Sequence, residues 1–90
     1  MNTQKEKDER RQAMDRDQEV IFLFSKYIRE LREQRGLSQE EAAELLGVRQ
    51  GTYARFELGT RNVTLGLAIK ICQLYNVELK DFLASMPKQK

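Results

Sequence analysis

The chain has 90 residues, 40% hydrophobic and 33% charged, with a net charge of +2, one cysteine and no histidine. That composition suits one domain with a small helical core and no more. It excludes a membrane span, since no stretch of about 18 apolar residues exists. With a charged N-terminus and no apolar h-region, no secretory signal is expected, and one cysteine can form no internal disulfide, which fits a reducing cytoplasm.

Residues 1–18 are almost wholly polar, and their five positive and five negative charges cancel. Such a run cannot bury enough apolar area to offset its ordering entropy alone. It is expected to be either a disordered arm or a helical extension joined to the first core helix. Glu19 to Arg35 is that first strong helix: Phe24, Ile28 and Leu31 fall at i, i+4 and i+7, with Val20 a turn earlier and Tyr27 alongside. Gly36 ends it. Val20 to Phe24 is apolar all round, so some of Ile21, Phe22 and Leu23 are surplus to one core face and suit a partner contact.

The stretch GLSQEEAAELLGVRQGTYARFE, Gly36 to Glu57, reads as two short helices across a tight turn. Ser38 is a good N-cap, and Glu41 three residues on completes a capping box. Ala42, Ala43, Leu45 and Leu46 supply an apolar face. Gly47 can close the helix in the left-handed conformation, and Val48 can plug the corner. Arg49 to Leu58 is helical again, with Tyr53 and Phe56 apolar against Gln50, Thr52 and Arg55. Two helices joined in this way make a helix-turn-helix, whose second helix has the girth to enter a DNA major groove.

Gly59 to Asn62 is a loop by composition. Thr64 is the expected N-cap of a fourth helix, Leu65 to Tyr75, with Leu65, Ala68, Ile69, Cys72 and Tyr75 as its core face. Cys72 reads as a small buried hydrophobe. Asn76 tolerates the left-handed stop. Glu78 to about Ser85 is the fifth helix, with Phe82 inward; Pro87 ends it, and 87–90 is a basic tail. The fold class expected is all-α, a five-helix bundle over residues 19–86 with a charged extension before it. No effector domain is expected beside it. The positive excess begins at residues 49–62, the second helix of the motif and the loop after it, where phosphates would lie.

The run from Ile28 to Phe82 resembles the Cro and phage-repressor type of helix-turn-helix domain. The resemblance is carried by Ile28, Leu31 and Arg32, by Gly36-Leu37-Ser38-Gln39-Glu40-Glu41-Ala42-Ala43 and by Leu46-Gly47-Val48. Thr52, Arg55, Glu57, Gly59, Arg61 and Asn62 continue it, followed by Leu65, Ile69, Ile71, Tyr75 and Val77. It implies a lambda-repressor-like bundle and a set of roles. Gln50, Thr52 and Arg55 would read bases. A Gln amide can bond adenine N6 and N7 together, and a guanidinium fits guanine O6 and N7. Gln39, Arg49, Arg61 and Asn62 would hold phosphates, Gln39 from the start of a helix. Arg32 and Glu57 would pair and tie the second motif helix to the scaffold. Leu67, Leu74, Leu83 and Met86, left over on the last two helices, would form a dimer contact.

Three positions depart from the usual pattern of that family. Arg49 stands where a Ser or Thr cap is usual, and Val63 where a Pro is. Gly51 removes a side chain from a position that often reads a base, which implies a smaller readout or a close backbone approach.

Enzyme chemistry has little to stand on: there is no CxxC, no Gly-rich phosphate loop and no nucleophile–base pair. Glu40, Glu41 and Glu44 read as a solvated face, and no metal or cofactor is expected. The expectation is therefore a bacterial or phage transcriptional regulator, nucleoid-associated, that binds a palindromic operator in double-stranded DNA as a homodimer, a repressor rather than an activator. The alternative is an antitoxin-like adaptor that docks a second protein through a helical face or the N-terminal arm.

Overall fold

The computed structural model describes residues 3–60 and 62–87, with side chains from residue 17 onward. Arg61, the last three residues of the basic tail and the side chains of most of the charged arm lie outside the described residues. Five helices succeed one another: α1 (Thr3–Gln34), α2 (Gln39–Leu46), α3 (Gln50–Leu58), α4 (Leu65–Leu74) and α5 (Leu79–Ser85). No strand occurs among the described residues.

Local chemistry sets most of the boundaries. At α2 the Ser38 hydroxyl accepts from the Glu41 N–H and the Glu41 carboxylate accepts from the Ser38 N–H, both at 3.0 Å. Gly47 ends the helix at φ 80°, a region where a Cβ would be strained. Thr64 Oγ1 accepts from the Leu67 N–H and starts α4. Asn76 comes after α4 at φ 59°. At α5 the Asp81 carboxylate accepts from the Glu78 N–H at 2.9 Å.

These helices close around one core. Phe24, Ile28 and Leu31 face inward from α1, Ala42, Ala43 and Leu46 from α2, and Tyr53 and Phe56 from α3. Small alanines on α2 let α3 pack closely against it. Phe82 of α5 meets the ring of Phe24 edge-on at 5.1 Å, a geometry favoured by the ring quadrupoles. Helix α3 packs on both α1 and α2, so the second motif helix has one side fixed and one side free.

Two faces differ from expectation. The core face of α4 is Ala68, Ile71 and Cys72, continued by Tyr75, while Leu65 and Ile69 are 68% and 40% exposed. On α2, Leu45 points to solvent rather than joining Ala42, Ala43 and Leu46. Of the apolar surplus on α1, Leu23 packs partly on the core and Phe22 is exposed. No described helix is long and apolar enough to cross a membrane.

Candidate nucleic-acid interface

The side chains that fix α3 converge on Glu57, which is buried at 2% exposure. Arg32 of α1 grips its carboxylate with two prongs of the fork, Nε to Oε2 at 2.7 Å and Nη2 to Oε1 at 3.0 Å. This bidentate pairing is what makes an arginine, rather than a lysine, effective here. Gln39, the first residue of α2, donates its amide to the same Oε1 at 3.1 Å. Arg29 donates to the Glu57 main-chain carbonyl at 3.1 Å and stands 3.8 Å from the carboxylate.

A second chain of bonds runs beneath the first. The Tyr53 hydroxyl is hydrogen-bonded to Glu57 and to the hydroxyl of Tyr75. Arg35 donates to the Tyr75 carbonyl and lies over its ring at 5.7 Å. Both tyrosines are buried, and burial first, with this bonding in support, pushes the Tyr53 hydroxyl well above its ordinary range. For Glu57, burial works upward, but the bonds from Arg32, Tyr53 and Gln39 outweigh it and hold the carboxyl below its ordinary value. Every buried polar side-chain atom among the described residues has a partner.

The other side of α3 is open. Gln50 and Arg55 are exposed and Thr52 is half-buried. Arg49 is the N-cap residue, extended at ψ 151°, and its side chain makes no capping bond. Asn62 is exposed in the loop after α3, and Arg61 beside it lies outside the described residues. The structure therefore sorts the expected site residues into two groups. Arg32, Glu57 and Gln39 are drawn into one buried cluster. Gln50, Arg49, Arg55 and Asn62 stand outside it with solvated side chains.

Gln39 belongs to both groups. One amide hydrogen is spent on Glu57, and the other remains for an acceptor outside. Nothing in the sequence singles out Arg29 beyond its place one turn before Arg32. The expected dimer residues divide as well: Leu67, Leu74 and Met86 are partly buried against the core, whereas Leu83 is 56% exposed.

A helix-turn-helix family model matches residues 28–82. The chain belongs to that family. It is 37% identical over 62 residues to the cryptic phage CTXphi transcriptional repressor RstR of Vibrio cholerae, covering 69% of this chain and 56% of the repressor. It is 43% identical over 54 residues to an HTH-type transcriptional regulator of Archaeoglobus fulgidus, covering 60% of this chain and 77% of that one. It is also 36% identical over 59 residues to the antitoxin PezA of Streptococcus pneumoniae, covering 66% of this chain and 37% of the antitoxin. The match thus spans little more than half of the phage repressor's length.

Proposed function

We propose that this chain is a sequence-specific DNA-binding transcriptional regulator, acting as a repressor on a palindromic operator. The observation that carries the reading is the division of α3. One side is clamped through Tyr53, Phe56 and Glu57, and the other presents Gln50 and Arg55 with no bond to any described residue. A rigid helix with free polar side chains is what base readout in a major groove requires. Arg49, Asn62, Arg61 and the second amide hydrogen of Gln39 would meet the flanking phosphates.

One α3 spans only a few base pairs, so operator selection calls for two copies. The homodimer is assigned to the α4–α5 side. There Leu65 and Leu83 stand exposed at the rim of an apolar groove lined by Val20, Ile21, Phe24 and Phe82. This shifts the expected contact: Leu83 keeps its place in it, and Leu65 joins where Leu67, Leu74 and Met86 are partly occupied by the core.

The test is selection of bound DNA from a random pool, then affinity against salt. The recovered site should be a palindrome. Gln50→Ala and Arg55→Ala should each cost about 1–3 kcal/mol of binding and relax selectivity at one position. DNA binding that ignores both substitutions and the salt concentration would overturn the reading. A second reading, an antitoxin-like protein-binding adaptor, is favoured by the similarity to PezA. It predicts a salt-insensitive protein complex and an empty DNA selection.

A further inference from the structure

Gly51 is the feature of α3 that the fold does not use. Gly36, Gly47 and Gly59 all have positive φ, which their turns require. Gly51 does not, and a Cβ built there would meet nothing within 4 Å. Glycine weakens a helix relative to alanine, so the bundle would tolerate or gain from a side chain at this position. The position lies between two free polar side chains: Gln50 precedes it, and Arg55 shares its face one turn on. Ala54, the half-buried residue one turn on, adds only a methyl group between them. Between the two long side chains, α3 thus has no side chain at Gly51 and open space around it.

We propose that Gly51 is a specificity-determining residue, an inference that rests on the DNA-binding reading. The absence of a side chain lets α3 seat the C5-methyl of a thymine against its backbone, between the bases addressed by Gln50 and Arg55. In the major groove that methyl is the group that projects furthest from an A·T pair, and it is read by apolar contact. A methyl added to the protein would occupy the space the thymine methyl needs.

That exchange gives the test. The full chain and its Gly51→Ala variant are measured on the site recovered from the random pool, with each thymine replaced in turn by deoxyuridine, which lacks the methyl. Gly66→Ala serves as the control, since Gly66 is also the second residue of its helix with open space around it. Both variants should fold and melt about 2–6 °C higher. Gly51→Ala should bind the thymine site about tenfold more weakly and keep its non-specific binding. At one position deoxyuridine should weaken the unsubstituted chain and restore the variant. Gly66→Ala should bind as the unsubstituted chain does.

A recovered site on which Gly51→Ala loses nothing overturns the inference, as does a loss that no deoxyuridine relieves. Either result leaves the DNA-binding reading standing. An empty selection removes that reading and this inference together.

Discussion

Glu57 carries one negative charge and is approached by two guanidiniums and an amide. Taking a carboxylate out of water costs several kcal/mol, and only close, well-directed donors offset it. Arg32→Ala should therefore cost about 3 kcal/mol of unfolding free energy, read as a lower urea midpoint, because Glu57 would stay buried without its main partner. Acid should act through the same residue. The carboxyl is held below its ordinary value of 4.5, so its contribution is complete above that pH and is lost as pH falls through the lower value of the folded state. Chemical denaturation at a series of pH values should show this acid-side loss, and Glu57→Gln should reduce it. The pairing of Arg32 with Glu57 was readable from the family resemblance. The bonds from Gln39, Arg29 and Tyr53 were not, because they depend on how three helices cross, and no local pattern reports that.

At the scale of the element, α3 trades its own stability for its surface. Helices α2, α4 and α5 each begin with a side-chain-to-backbone bond, while α3 begins at Arg49 with none. Arg49→Ser should restore a cap and stabilise the domain by about 1 kcal/mol. It should also remove the phosphate contact proposed for Arg49, so the slope of log affinity against log salt should fall by about one. Thermal melting and a salt titration on the same variant check both halves. Helix boundaries were legible because caps and stops are written locally in Ser38, Gly47, Thr64 and Asn76. The face of α4 was not. In LGLAIKICQL nearly every position is apolar, so several stripes fit the helical period equally well. The choice of Ile71 over Leu65 and Ile69 is made by the neighbours that the helix meets.

For the whole molecule, the exposed pair Leu65 and Leu83 sets the expectation for assembly. Sedimentation at tens of micromolar should find a dimer for the unsubstituted chain. The double variant Leu65→Lys with Leu83→Lys should run as a folded monomer with unchanged helical content. It should lose more affinity for a palindrome than for a single half-site. A monomer for the unsubstituted chain, with and without operator, would count against the dimer.

Arg29 and Arg32 on α1 and Arg35 just past its end recur every third residue, and each donates to a main-chain carbonyl in a different part of the chain. Arg29 reaches Glu57 at the end of α3, Arg32 reaches Leu37 before α2, and Arg35 reaches Tyr75 at the end of α4. Helix α1 and the turn after it thus fasten the end of α3, the loop before α2 and the end of α4. Sliding or turning α1 by one residue would undo all three fastenings together, so small departures gain no partial relief. Loosening should spread through this domain in one step rather than piece by piece, and α3 inherits its steadiness from the long helix it packs on.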